Sequence, residues 1–150
     1  MSWNAIKRGP LDALFSDFIR MKHRWRCFKC NTYFPPGQAR KGLHNAHMVV
    51  GRGKGNSTRW LEEDCVPLCY GHHQYFTAHP AEAMEWFIKT FGQERYDLVR
   101  FMARQIVKSW ELKDLKAAKA VYFKAEMERM AKEGYEPPAK WKAPTKEVPA

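Results

Sequence analysis

The stretches CFKC (residues 27–30) and CYGHH (residues 69–73) decide the fold of this 150-residue chain. Each stretch offers two ligands separated by two residues, and a tight turn of this kind can present both side chains to one ion. Paired in this way, the two stretches predict a tetrahedral structural Zn²⁺ site. Its expected ligands are Cys27, Cys30, Cys69 and His72.

A further cysteine, Cys65, lies four residues before Cys69 and competes with His72 as the fourth ligand. We favour a different place for Cys65, as a small apolar residue that a strand directs into the core. The chain shows no export signal at its N-terminus and no stretch of transmembrane length. We therefore expect a cytoplasmic protein without a membrane partner, in which reduced cysteines bind metal rather than form disulfides.

The net charge of +10 is concentrated in one part of the chain. Between Phe18 and Leu61 there are ten basic residues and no acidic residue. A basic block of this length predicts a polyanionic partner, and nucleic acid fits it better than a merely solvated surface does. The candidate DNA contacts are Arg40, Lys41, Arg52, Lys54 and Arg59.

Two histidines near the zinc ligands are not needed for the zinc site. His47 lies in the insert between the two ligand pairs, and His73 directly follows His72. A neutral histidine can take a proton from water near pH 7, and a second histidine can hold a divalent ion beside a phosphate. The pattern therefore favours a metal-dependent nuclease over a plain zinc finger.

These residues also carry a family resemblance, which covers about half of the chain. The segments HNAHM (44–48), EDCVPLC (63–69) and CYGHH (69–73) resemble the HNH (ββα-metal) endonucleases that contain a zinc knuckle. The continuation as far as Tyr96 is similar to the phage lambda NinG (Rap) recombination endonuclease group. The resemblance implies a bacteriophage enzyme that hydrolyses duplex or branched DNA in recombination, replication or packaging.

The resemblance also implies roles for individual residues. His47 would be the general base, and His73 would hold the catalytic Mg²⁺ or Mn²⁺. Asp64 stands where the family usually has asparagine, whose task is to orient the base or to tie down the loop. Arg59 would contact the scissile phosphate or a neighbouring one, since a guanidinium grips phosphate with paired donors.

One departure from the family pattern favours an alternative function. Many HNH enzymes carry an acidic metal ligand just before the base, whereas this chain has Ala46. His44 or Asn45 would have to substitute for that ligand. The alternative is a non-catalytic, zinc-dependent DNA-binding or accessory module.

The expected fold class is α+β, with a ββα-metal core that is flanked by helices. Residues 1–26 form an N-terminal helix and basic lead-in, and residues 27–79 form the nuclease core. Residues 80–133 are a helical region, and the proline-containing residues 134–150 are a disordered tail. Whether the helical region stabilises the core, contacts DNA or mediates a homodimer stays open.

Apolar periodicity locates the helices. An apolar stripe over residues 11–19 predicts the first helix, and Pro80 and Gly92 bracket the next one. A further helix is expected over residues 94–110. The last is expected over residues 114–132, with an apolar stripe at Leu115, Ala118, Tyr122 and Ala125.

Overall fold

The computed structural model describes residues 7–141, and these residues have α+β architecture. They contain seven α-helices and one two-stranded antiparallel sheet. Short 3₁₀ turns lie at Arg52–Lys54 and Glu62–Asp64. In chain order the elements are α1 (Pro10–Lys22), α2 (Ala39–Gly42), β1 (Leu43–His47), α3 (Asn56–Arg59), β2 (Cys65–Cys69), α4 (Tyr70–Ala78), α5 (Pro80–Phe91), α6 (Gln93–Ala103) and α7 (Leu112–Lys132).

The two strands and α4 form a strand–strand–helix unit. Leu43 pairs with Cys69 and His47 pairs with Cys65, so β1 and β2 run antiparallel over their whole length. The central residues of β2 are all buried, and α4 begins directly after Cys69. Because a two-stranded sheet has only edge strands, Pro67 fits into β2 without the loss of an interior ladder bond.

Helices α1 and α7 pack against each other through aromatic rings. Phe15, Phe18 and Ile19 of α1 are buried, as their helical spacing predicts. The ring of Phe123 lies 5.0 Å from that of Phe15 and 4.9 Å from that of Phe18. The C-terminal helix therefore shares a core with the N-terminal helix, and one hydrophobic cluster includes residues from Phe15 to Met130.

The buried face of α7 differs from the alanine-containing stripe that periodicity predicted. Phe123, Met127 and Met130 are buried, whereas Tyr122 is 47% exposed. The spacing of the three buried residues places them on one side of the helix. Burial of these larger side chains removes more apolar area from water than burial of the alanines would.

The helices α5 and α6 follow the sequence signals only in part. Pro80 begins α5 and Gly92 ends it, at a φ of 97° that favours glycine. Helix α6 stops at Ala103, well short of the predicted end, and Ile106 beyond it is 85% exposed. The β-branched pair Ile106 and Val107 has low helix propensity, which is consistent with the earlier end. No helix within residues 7–141 is both long enough and apolar enough to cross a bilayer.

The segment after α7 contacts the core as far as the described residues extend. The buried indole of Trp25 donates a hydrogen bond to the carbonyl oxygen of Glu136 at 2.7 Å. The guanidinium of Arg24 lies 3.9 Å from the ring centre of Tyr135. A buried indole N–H requires an acceptor, so residues 134–141 make contacts that their composition did not predict. The rest of the expected tail, 142–150, lies outside the described residues.

We predict that Phe123→Ala lowers the free energy of unfolding by about 3–5 kcal/mol, because it leaves a cavity between two rings of α1. Tyr122→Ala serves as the matched control, since this neighbouring side chain is half exposed, and we expect it to cost below about 1.5 kcal/mol. Chemical denaturation of the zinc-loaded proteins measures both. Equal losses in the two variants would contradict the assignment of the buried face.

Candidate metal centres and basic cleft

The four predicted zinc ligands converge in the structure. The ligand atoms of Cys27, Cys30, Cys69 and His72 all lie within 4.8 Å of one another. His72 Nδ1 is 3.3 Å from Cys69 Sγ and 3.7 Å from Cys27 Sγ, and the Sγ atoms of Cys30 and Cys69 are 4.0 Å apart. A tetrahedral zinc ion with its usual bond lengths separates its ligand atoms by about 3.5–3.8 Å. This cluster could therefore hold a metal ion such as zinc.

Local backbone geometry shapes the first ligand pair. The amide of Asn31 donates to the carbonyl oxygen of Cys27 at 2.8 Å, and Asn31 adopts a left-handed φ of 61° that closes the turn. The amide of Phe28 donates to the carbonyl oxygen of Pro67 at 2.8 Å, which ties the turn to β2. A hydrogen bond with Thr32 lowers the pKa of the Cys30 thiol to about 6, so this ligand is largely thiolate at neutral pH.

The competing cysteine lies apart from this cluster. Cys65 is fully buried in β2, opposite His47, and belongs to the hydrophobic core. Burial raises the pKa of its thiol well above the ordinary value, so Cys65 stays neutral. The structure thus confirms the preferred interpretation of Cys65 and includes His72 among the four converging ligands.

One cleft of about 420 Å³ is lined by the three other histidines for which the sequence predicted a role: His44, His47 and His73. The Nδ1 atoms of His44 and His73 are only 2.9 Å apart, which brings β1 and α4 into direct contact. Burial, followed by the proximity of His44, lowers the pKa of His73. Neutral imidazoles that converge in this way can share one proton or direct lone pairs at one cation.

His47 is held in a defined tautomer by the backbone. Its Nε2 lies 2.8 Å from the carbonyl oxygen of Arg59. A carbonyl oxygen only accepts, so Nε2 carries the hydrogen and Nδ1 of the neutral ring is the basic nitrogen. Burial lowers the pKa of His47, which keeps the ring neutral at pH 7.

Arginine side chains surround the histidines in the cleft. Arg8, Arg20, Arg40 and Arg52 line it, and among residues 7–141 no acidic side chain does so. The buried Arg20 is fixed by hydrogen bonds from Nε to the carbonyl oxygen of Leu43 at 2.7 Å and from Nη1 to Asp17 at 3.1 Å. A concave site with this charge attracts phosphate groups.

The structure separates the predicted DNA contacts into two groups. Arg40 and Arg52 line the cleft, whereas Lys41 and Lys54 are exposed residues outside its lining. Sequence reasoning missed Arg8 as a cleft residue, and it did not connect Arg20 with Ser16. The sequence did contain a signal for this pair. Ser16 and Arg20 are polar residues four positions apart within the apolar pattern of α1, and this spacing places both on one face of the helix.

Arg59 has a different environment from the one expected for a phosphate contact. Its guanidinium donates to both carboxylate oxygens of Asp12, from Nε at 2.9 Å and from Nη2 at 2.6 Å. The indole of Trp60 donates to the same carboxylate at 3.0 Å. The side chain does not line the histidine cleft, so Arg59 contributes to that site through its carbonyl oxygen instead.

Asp64 ties down the loop that follows β1. Its Oδ1 accepts hydrogen bonds from the amides of Val49 at 2.7 Å and Val50 at 3.1 Å, and its carbonyl oxygen accepts one from Met48 at 2.8 Å. Asp64 is fully buried and does not line the cleft. Burial raises the pKa of its carboxyl group to about 7. The family resemblance implied one of two tasks for this residue, to orient the base or to tie down the loop. The position of Asp64 is consistent with the second task.

Comparison of the chain with protein-family models, curated proteins and solved structures found no match. Fold class alone does not determine function, because one fold supports many chemistries. The function must therefore be inferred from the two clusters of side chains and from the charge that surrounds them.

We predict that the protein holds one zinc ion, and that His72→Ala loses this ion to a chelator which leaves the wild type loaded. Removal of one of four ligands opens the tetrahedral site. Cys65→Ala is the control and should keep the full equivalent, since this thiol belongs to the core. Elemental analysis after dialysis measures the zinc content. Zinc loss from Cys65→Ala alone would contradict the assigned ligand set.

We predict that the contribution of Asp64 to stability falls as the pH rises from 5 to 8, because folded Asp64 keeps its proton up to about pH 7. Unfolded aspartate titrates near 3.9, so the folded state binds more protons in this window. Relative to Asp64→Asn, the wild type should lose about 2–3 kcal/mol of unfolding free energy. Denaturation of zinc-loaded proteins at both pH values measures this difference.

The exposed Asp114 provides the matched control for this prediction. Asp114→Asn should follow the wild-type pH dependence, because this side chain is exposed to water in the folded state. A parallel pH dependence of Asp64→Asn and the wild type would contradict the prediction.

Proposed function

We propose that this chain is a metal-dependent endonuclease of the HNH (ββα-metal) type, which hydrolyses phosphodiester bonds in DNA. The observation that carries the proposal is the cleft in which His44, His47 and His73 meet among four arginines. The strand–strand–helix order of β1, β2 and α4 is consistent with it. A zinc ion at the Cys27, Cys30, Cys69 and His72 cluster would have a structural role.

His44 and His73 are the residues that would hold the catalytic divalent ion. Their Nδ1 atoms are 2.9 Å apart, and Asn45 Oδ1 in the same lining is buried with no hydrogen-bond partner within the described residues. A donor set of two imidazoles and one amide oxygen suits Mn²⁺ better than Mg²⁺, which prefers oxygen ligands. When bound, such an ion would neutralise the charge that develops on the phosphate and the leaving oxygen.

His47 would act as the general base. The hydrogen bond from Nε2 to the carbonyl oxygen of Arg59 leaves Nδ1 to accept a proton from water. The lowered pKa keeps the ring in its basic form at neutral pH. The same hydrogen bond fixes the plane of the ring, which limits the directions from which a water molecule can be activated.

The arginines would bind and orient the DNA backbone. Arg20 is anchored on both sides, and Arg8 donates a hydrogen bond from Nη2 to Ser16 at 2.9 Å. Guanidinium groups that are held in this way lose less conformational entropy when phosphate binds. These cleft arginines take the place of Arg59 as the proposed contacts to the scissile phosphate.

A non-catalytic DNA-binding module is the second candidate function. Ala46, at the position of the family's acidic ligand, is buried in the core and has no ligand atom to offer. The convergence of His44 with His73 argues against this candidate, because a phosphate-binding surface does not require two imidazoles whose Nδ1 atoms meet. Cleavage measurements separate the two functions.

The decisive experiment compares cleavage of plasmid and branched DNA by the wild type, His47→Ala and His73→Ala, with Mn²⁺ or Mg²⁺. We expect His47→Ala to lose about 10²–10⁴-fold in rate, as for removal of a general base, while its zinc content and DNA affinity persist. His73→Ala should lose cleavage that added Mn²⁺ partly restores. The comparison of plasmid with branched substrate shows which DNA structure is preferred.

His79→Ala is the matched control, because His79 is an exposed histidine outside the cleft lining. It should cleave as the wild type does. If the zinc-loaded wild type binds DNA but cuts no substrate with either ion, the nuclease proposal fails and the DNA-binding module replaces it.

A further inference from the structure

Two further hollows lie near the histidine cleft along the start of α1. Arg8, Arg20 and Arg40 line both the cleft and a neighbouring hollow of about 310 Å³. Gly9 lines this hollow and also a groove of about 590 Å³ between α1 and α7. These shared residues place the cleft, the hollow and the groove next to one another, and we term the last of them the α1–α7 groove.

The α1–α7 groove is basic and has an apolar floor. Lys7, Lys116 and Lys124 line it together with Arg59. Asp12 is the acidic residue in its lining, and the carboxylate of Asp12 is already bound by Arg59 and Trp60. The apolar part of the lining is formed by Pro10, Leu11, Leu14, Ala117 and Ala120.

Two of the groove lysines are arranged along one face of α7. Lys116 and Lys124 are both exposed and lie eight residues apart, which is a little over two helical turns or about 12 Å along the axis. Both lie outside the basic block that the sequence showed between Phe18 and Leu61. The charge of Lys116 and Lys124 therefore adds a helix distant in sequence to the basic surface near the cleft.

We propose that the α1–α7 groove binds the phosphate backbone of duplex DNA beyond the scissile phosphate. This inference rests on the proposed function, since it takes the cleft as the place where DNA is cut. Proximity to the arginine-lined cleft favours DNA over an acidic peptide, because one long polyanion can reach both basic surfaces at once. The apolar floor suits the sugar edges of a backbone whose phosphates reach the lysines.

The test replaces both lysines, in Lys116→Gln/Lys124→Gln, and measures affinity for a duplex over a range of salt concentrations. Each phosphate contact contributes about 0.9 to the slope of log K against log salt. We expect the negative slope to become shallower by about 1.8. The affinity near 0.1 M salt should fall by roughly tenfold or more. The measurements use zinc-loaded protein without added Mg²⁺ or Mn²⁺, so that no substrate is cut.

The matched control is Lys113→Gln/Lys132→Gln, which removes two exposed lysines of the same helix that do not line the groove. It should keep the wild-type slope. Equal slopes for the groove variant, the control and the wild type would overturn the inference, and would leave an acidic peptide as the better occupant.

Cleavage assays on the same proteins separate this inference from the proposed function. If the wild type cuts DNA but the groove variant binds with an unchanged slope, the groove inference fails and the nuclease proposal stands. If the groove variant loses slope while no protein cuts DNA, the groove inference stands as a DNA-binding surface and the nuclease proposal fails.

Discussion

The four-ligand cluster at the first turn of α4 is the constraint on which the rest of the site depends. His72 belongs to this cluster, and the next residue, His73, lies 2.9 Å from His44 of β1. Successive residues of a helix point about 100° apart, so one turn can serve two sites on different sides. A metal ion bound at His72 would therefore also fix the direction of His73, so that the proposed structural metal and the proposed ion-binding histidine would be coupled through a single peptide bond.

Asp12 exerts a second, electrostatic constraint. It binds Arg59 and the indole of Trp60, and these contacts connect the start of α1 to the end of α3. The carbonyl oxygen of Arg59 in turn holds the ring of His47. Asp12, which does not line the histidine cleft, thus positions the proposed base through one residue. Arg59 is important to the cleft for its backbone, although its side chain had suggested a phosphate contact.

Local signals predicted some parts of this structure and not others. The convergence of the four metal ligands was predictable, because each ligand pair lies on one tight turn. The bounds of α5 were also predictable, because a proline begins the helix and a glycine ends it. The buried face of α7 was not, since the rings of Phe15 and Phe18 select Phe123 across more than a hundred residues. Arg8 escaped notice for the same reason. It precedes the basic block, and only the fold brings it to the cleft.

The arginines that are proposed to bind phosphate also act on the proposed base. Burial is the main cause of the lowered pKa of His47, and Arg52 and Arg8 lower it further by repelling the imidazolium. A bound phosphate would neutralise part of this arginine field and so raise the pKa of His47. Burial is then the effect that persists once the substrate is in place. The hydrogen bond to the carbonyl oxygen of Arg59 acts in the opposite direction and raises the pKa. A proposed base that must remain neutral beside a polyanion therefore depends on its burial between β2 and the core more than on the charges around it.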